Sequence, residues 1–250
     1  MSSTEIASHR GGAFLWPENS LLAFRSALTW AAEQVEFDVH ASLDGEPVVI
    51  HDATLDRTTD AVGPVAALDW SALKRVRLRG TGGDHVPHLS EVAALVGPTA
   101  QRLRLEIKAD VIGRPYSGLV QRCAAVLDGM GVRGRTVLMS FEAATVAEAS
   151  DLGGFEQRVF LAETRPMRAM RPADAIALCR SCGATELGVH EGIADAVLRD
   201  ALRAAGLRLS VWGANHAESI RRALALGVDV IATDDPPLAI DLRRGVVPAA

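Results

Sequence analysis

From Val35 to His40 apolar and polar residues alternate strictly, with Val35, Phe37 and Val39 set between Glu36, Asp38 and His40. A period of two predicts a strand with one apolar and one polar face, so Glu36 and Asp38 point the same way. Asp44-Gly45 predicts a tight turn next, because that pair tolerates positive φ. Val48, Val49 and Ile50 bring the chain back as a short apolar run that ends in His51-Asp52. Two carboxylates and an imidazole are thereby delivered to one neighbourhood.

The same periodicities extend along the chain. A short strand over 5–8 runs into His9-Arg10-Gly11-Gly12. Leu21, Leu22, Phe24, Ala27, Leu28 and Ala31 form the apolar stripe of a helix over 20–32, with Asn19 or Ser20 as its N-cap. Over 102–108, Leu103, Leu105 and Ile107 alternate with Arg104, Glu106 and Lys108, which predicts the next strand. Strands follow at 135–141, 157–162, 185–190, 208–212 and 228–233. Between and after them lie helical patterns at 117–129, 142–152, 172–182, 193–205, 216–226 and 237–244. Gly131, Gly134, Gly183, Gly206 and Gly227 stand where helices should stop.

Only the stretch of about 53–88 breaks the rhythm. It holds two Gly-rich spots and one helical patch over 70–76, which predicts a small insertion; Ser90 then caps a helix to about 96. Eight strands, each followed by a helix, fit an α/β fold: a (β/α)8 TIM barrel as one domain over 1–250, with an insertion after the second strand. An open doubly wound sheet is the competitor, but no Gly-x-Gly-x-x-Gly follows the first strand.

A net charge of −5, with no basic-aromatic interleaving, argues against a nucleic-acid partner. The sequence has no secretory leader pattern and no apolar run of membrane-spanning length, so a soluble, cytoplasmic protein is expected. Of the three cysteines, Cys179 and Cys182 form a Cys-x-x-Cys without a second ligand pair, so they are expected to be small apolar residues near a helix end. Composition leaves the oligomeric state open.

In a (β/α)8 barrel the active site lies at the C-terminal strand ends. There the sequence puts His9-Arg10, Glu36 and Asp38 with His51, Glu106 and Lys108, Ser140, Glu163, His190-Glu191, Trp212 with Asn215, and Asp234. Strand spacing lets Glu36, Asp38 and Glu106 converge, and three carboxylates in one low-dielectric cup repel unless a cation sits among them or their pKa values rise. Hard oxygen donors favour Mg²⁺ or Ca²⁺ over zinc. Arg10 and Lys108 add the positive charge that a phosphate group requires. Lys108 is one of two lysines beside 24 arginines, and suits a compact charge on phosphate.

His9 and His51 supply a proton acceptor and a proton donor, which suits phosphodiester cleavage. The polar inward residues are expected to cluster here and nowhere else. The plainer alternative is salt-bridged barrel filling. His40, His85, His88 and His216 are expected on the surface or in loops, and Trp212 is either packing or an aromatic wall for the substrate.

Taken in order, these residues resemble the glycerophosphodiester phosphodiesterase family. The matching elements are His9-Arg10-Gly11, Pro17-Glu18-Asn19-Ser20, Glu36-x-Asp38-Val39, Asp44-Gly45-x-Pro47-Val48-Val49-x-His51-Asp52 and Leu55-x-Arg57-Thr58-Thr59. Later come Pro87-x-Leu89-x-Glu91, Glu106-x-Lys108, Ser140-Phe141, Val211-Trp212 with Asn215, Gly227-Val228-Asp229 and Thr233-Asp234. The resemblance implies a divalent metal, Mg²⁺ or Ca²⁺, at Glu36, Asp38 and Glu106, with His9 and His51 as the acid/base pair. It also implies Arg10 and Lys108 on the phosphate. The implied substrate is a small glycerophosphodiester, cleaved to glycerol phosphate and an alcohol: a glycerol hydroxyl attacks phosphorus and water opens the cyclic product. Alternatives are another diester on the same scaffold, such as a lysophospholipid or glycerophosphoinositol, and a non-catalytic phosphate-binding protein. Two positions depart from the family pattern. Ser20 stands for Thr, and Gly213-Ala214 replaces Thr-Val, which is expected to leave more room beside Trp212.

Overall fold

The computed structural model describes residues 4–245. Eight parallel strands close into a barrel: β1 (Glu5–Ser8), β2 (Gln34–Ala41), β4 (Arg102–Ile107), β5 (Thr136–Ser140), β6 (Gln157–Leu161), β7 (Glu186–His190), β8 (Arg208–Trp212) and β9 (Val230–Thr233). Closure comes from β1, which pairs with β9 on one side and β2 on the other. The remaining strand, β3 (Pro47–Val49), runs antiparallel to the end of β2. Ten helices complete the described chain: α1 (Leu21–Ala27), α2 (Trp70–Leu73), α3 (Leu89–Val96), α4 (Leu119–Gly129), α5 (Ala143–Leu152), α6 (Thr164–Met167), α7 (Pro172–Ser181), α8 (Ala196–Ala204), α9 (Ala217–Leu226) and α10 (Pro236–Arg243).

The alternation of β2 and β4 has the structural meaning expected of it. Val35, Phe37, Val39, Leu103, Leu105 and Ile107 are buried in one cluster with Phe24, Val92, Val120 and Leu127 from the surrounding helices. Each such side chain contributes roughly 1.5–3 kcal/mol by leaving water, which fixes the face on which Glu36, Asp38, Glu106 and Lys108 must stand. The registers Glu36↔Arg104 and Asp38↔Glu106 then bring the three acids side by side.

The irregular stretch is an insertion between β3 and α3 with its own small core of Val48, Ile50, Leu55, Val65, Leu73, Val76, Leu78 and Val86. The chain enters it through the β2–β3 hairpin. Gly45 has φ of 80°, and Ser42 Oγ accepts from the Glu46 N–H while donating to Asp44. Register Val39↔Val49 and a bond from the Ile50 N–H to the Asp38 carbonyl continue β2 beyond the end of the short β1. His51 is thereby set over the barrel mouth.

Several local expectations change. The first helix stops at Ala27, with Ser20 Oγ capping the Ala23 N–H. His88, not Ser90, caps α3, its ring accepting from the Ser90 N–H. Gly131, Gly183, Gly206 and Gly227 take positive φ, whereas Gly134 lies within a 3-10 turn over 133–135. Cys179 and Cys182 are buried in the apolar core, as a plain packing role requires. No helix among the described residues is long and apolar enough to cross a membrane.

Polar residues also fill the interior away from the mouth, against the expectation that they cluster in one place. Arg104, 2% exposed, donates to Glu186 at 2.6 Å, Gln34 at 3.1 Å and Ser210 at 3.1 Å. The physical reason is register: β2, β4, β7 and β8 bring complementary groups to one level, and a buried guanidinium is tolerated where a carboxylate and two neutral acceptors meet it.

Candidate active site

At the end of β1 the chain turns sharply through His9-Arg10-Gly11. Arg10 takes φ of 50°, a left-handed value uncommon away from glycine, and its N–H donates to Glu36 Oε2 at 2.7 Å. The turn is packed hard against α1: a Cβ on Gly11 would lie 2.8 Å from the Ala23 methyl. The strained backbone is thus the one that orients a buried carboxylate. Asn19 is the other non-glycine residue with positive φ, at 53°. Its amide donates to Asp38 Oδ2 at 2.8 Å, and its carbonyl accepts from the Asp38 N–H at 3.2 Å.

Glu36, Asp38 and Glu106 are all buried, and one oxygen from each lies within 4.8 Å of the others. Lys108 Nζ is 2.6 Å from Glu106 and 3.2 Å from Asp38, and Arg10 Nε is 3.3 Å from Asp38. The charges sort the acids. Burial raises Asp38, but Lys108 and Arg10 outweigh it and hold that carboxyl well below its usual range. Burial, reinforced by the neighbouring acids, raises Glu36 and Glu106. Burial disfavours the Lys108 ammonium, yet Asp38 and Glu106 raise its pKa.

The donor set fits a hard divalent cation. It is all oxygen, it comes from rigid strands, and the buried Glu36 Oε1 has no hydrogen-bond partner among the described residues, while Asp38 Oδ1 has only its ion pair with Lys108.

Two imidazoles flank the cluster, each tied to a carboxylate. His9 Nδ1 is 2.5 Å from Asp234 Oδ1, and its Nε2 is 4.0 Å from Glu36. Asn215 fixes Asp234 in turn, donating to its second oxygen and accepting from its N–H. His51 Nδ1 is 2.7 Å from Asp52 Oδ1. Both imidazoles line one cavity of about 310 Å³ together with Arg10, Glu36, Glu106, Lys108 and Trp212. Burial disfavours charge on His9, but Glu36 and Asp234 outweigh it and raise its pKa. On His51 burial, helped by Lys108 and Arg10, prevails and lowers it.

Across the cavity the wall is apolar. Val137, Met139, Val159 and Leu161 cluster from β5 and β6, with Phe141 and Trp212 against them. Trp212 both packs and lines the cavity, meeting Phe141 edge-on at 6.1 Å. The expected room beside it is taken. The His190 ring stands edge-on to Trp212 at 4.8 Å, and a Cβ on Gly213 would lie 3.0 Å from His190 Nε2. Gly213 therefore admits the imidazole rather than a larger substrate.

Sequence reasoning misplaced His40, which is buried within β2, whereas His88 lies in the connection before α3 yet is also buried. His40 bonds the His51 carbonyl at 3.0 Å and the Tyr116 hydroxyl at 2.9 Å, and burial lowers its pKa to about 4. It thus acts as a neutral strut beneath His51. His88 faces Glu46 at 3.1 Å besides capping α3. The positioning contacts of Asn19, Asp52, Asn215 and Asp234 also went unassigned. All four sit in the quoted motifs, which was the available signal.

The geometry agrees with the comparisons to known proteins. The model of the glycerophosphoryl diester phosphodiesterase family matches residues 9–238. A crystal structure from Agrobacterium tumefaciens that carries the name glycerophosphoryl diester phosphodiesterase is 36% identical and aligns over 98% of both chains, with a TM-score of 0.93. A glycerophosphodiester phosphodiesterase of Caldanaerobacter subterraneus subsp. tengcongensis is 27% identical over 96% of this chain and 98% of its own. An Oleispira antarctica phosphodiesterase, solved with its product sn-glycerol-3-phosphate, shares the fold. Its TM-score is 0.83 at 24% identity, over 96% of this chain and 97% of its own. The chain belongs to the glycerophosphoryl diester phosphodiesterase family and is a phosphodiesterase.

Proposed function

We propose that the protein hydrolyses glycerophosphodiesters to glycerol phosphate and an alcohol, using a divalent cation held by Glu36, Asp38 and Glu106 and an acid/base pair of His9 and His51. The observation that carries this reading is the juxtaposition of three buried carboxylates with two imidazoles, each anchored through Nδ1 and lining the same cavity. The glycerol phosphate product of the Oleispira antarctica enzyme points to the same reaction.

A divalent cation held by Glu36, Asp38 and Glu106 would supply positive charge to offset that of the phosphate oxygens. Arg10 and Lys108, already beside the carboxylates, hold those oxygens through charge-assisted hydrogen bonds. Asp234 and Asp52 occupy Nδ1 of His9 and His51, which leaves each Nε2 for the substrate. One imidazole takes the proton from the attacking oxygen and the other gives one to the departing alcohol oxygen. The attacking oxygen is a glycerol hydroxyl, and water then opens the cyclic diester, so the net reaction consumes one water. Trp212 and the apolar wall receive an uncharged part of the substrate.

A second reading has a specific support. Phe14, Leu15 and Trp16, just beyond His9 and Arg10, are 54%, 43% and 37% exposed. With the apolar wall, they favour a diester bearing an apolar chain, such as a lysophospholipid. The test is ³¹P NMR of glycerophosphocholine and of lysophosphatidylcholine incubated with the protein and Mg²⁺ or Ca²⁺. Release of glycerol phosphate from the first, abolished by EDTA and restored by excess metal, is expected. Full turnover in EDTA would overturn the metal-dependent mechanism, and preference for the second substrate would select the alternative.

A further inference from the structure

The motif Leu55-x-Arg57-Thr58-Thr59 has no place in the chemistry above, yet one of its side chains ties two parts of the site together. Arg57 lies in the insertion, with its side chain 47% exposed. Its guanidinium grips Asp52 with Nε at 2.6 Å and Nη2 at 3.0 Å. The other edge grips Glu18 with Nη1 and Nη2, both at 2.8 Å. Each carboxylate has a second duty. Asp52 accepts from His51 Nδ1 at 2.7 Å, and Glu18 accepts from Arg10 Nη1 at 3.0 Å. A single guanidinium thus connects a histidine of the insertion to an arginine of the β1–α1 loop.

His51 needs such a brace. It follows β3 rather than ending a barrel strand, and its backbone is tied to the barrel by the His40 bond to its carbonyl. Half-exposed ion pairs contribute little to folding. Two bidentate grips on one planar group instead fix direction, which lysine's single ammonium cannot reproduce. We propose that Arg57 is a positioning residue, holding Asp52 and Glu18 so that His51 and Arg10 address the same phosphate. The inference rests on the acid/base role proposed for His51.

The experiment is steady-state kinetics of the full chain with Mg²⁺ or Ca²⁺ and glycerophosphocholine, beside thermal melting, for Arg57→Ala, Arg57→Gln, Arg57→Lys, Asp52→Asn and the Arg57→Ala/Asp52→Asn pair. Loss of an outer positioning contact lowers activity by roughly 10–100-fold. That fall is expected in kcat for Arg57→Ala and Arg57→Gln, with KM and melting temperature nearly unchanged. Arg57→Lys should be intermediate. The double variant should be no worse than the poorer single one, because both remove one linkage. Millimolar guanidinium should restore part of kcat to Arg57→Ala.

Wild-type kcat in Arg57→Ala or Arg57→Gln would overturn the proposal. So would a kcat loss that tracks a lowered melting temperature and is not rescued by guanidinium. His51→Ala separates the two levels. An active His51→Ala protein sinks the acid/base reading itself, whereas an inactive one beside an unimpaired Arg57→Ala protein sinks only the role of Arg57.

Discussion

At the cavity, β2, β4 and the residues just past β1 and β4 present Glu36, Glu106, His9 and Lys108, whereas β5 and β6 present Met139 and Leu161, which pack with Val137 and Val159. The contrast teaches how the site concentrates charge. The apolar wall contributes no donor or acceptor, and it lowers the local dielectric in which the carboxylates interact. Burial accordingly raises Glu36 and Glu106, while Lys108 and Arg10, foremost among the cationic groups facing Asp38, hold it low. One half supplies reactive groups, and the other supplies the medium that makes them strong.

The sharpest break of that contrast is removal of an imidazole from the polar half. His9→Ala or His51→Ala should lower kcat by about 10²–10⁴-fold, as loss of a general acid or base does. The melting temperature should stay near wild type, because both rings are partly exposed. Kinetics beside calorimetry reads both quantities.

Next in size is the polar layer away from the mouth. Glu186→Gln leaves Arg104 buried without its carboxylate, and should cost about 3–5 kcal/mol in urea unfolding. Replacing both partners by Leu and Met should cost much less, since neither charge is then stranded.

In the apolar half, Leu161→Ala should cost about 2 kcal/mol. It should change kcat far less than either histidine variant, because the wall moves no proton. An equal loss of kcat would erase the distinction between the halves.

The smallest effect is the pH dependence of the lower layer. Burial raises the Glu186 carboxyl, but Arg104 and Arg208 outweigh it and hold it below the ordinary Glu value. A folded-state pKa below the unfolded one stabilises the fold above the unfolded value. That stabilisation is lost as pH falls through the folded value. Glu186→Gln should therefore lose less of its remaining stability than wild type between neutral and acidic pH, measured by urea midpoints.

Much of this arrangement was legible in the sequence, for a local reason. Glu36 and Asp38 share a strand, Glu106 and Lys108 share another, and two-residue periodicity alone puts each pair on one face. The turn at Asp44-Gly45 likewise announced the hairpin that carries His51 back. What escaped was non-local. Arg104 stood on the polar face of its strand, but its partners Gln34, Glu186 and Ser210 lie 70, 82 and 106 residues away. Asp234 meets His9 only because β9 closes the barrel against β1. The space expected at Gly213 was filled by His190 from the adjacent strand, a consequence of the register His190↔Trp212. Periodicity assigns a residue to a face, but only register names its neighbour.

The claim on which the chemistry depends is that Glu36, Asp38 and Glu106 hold one divalent cation. Diffraction from crystals grown with Mg²⁺ and then with Ca²⁺ tests it most directly. The account predicts a single ion bonded to an oxygen of all three carboxylates, at roughly 2.1 Å for Mg²⁺ or 2.3–2.6 Å for Ca²⁺. Metal density elsewhere in the barrel, with Lys108 still bridging Glu106 and Asp38 at saturating metal, would contradict it.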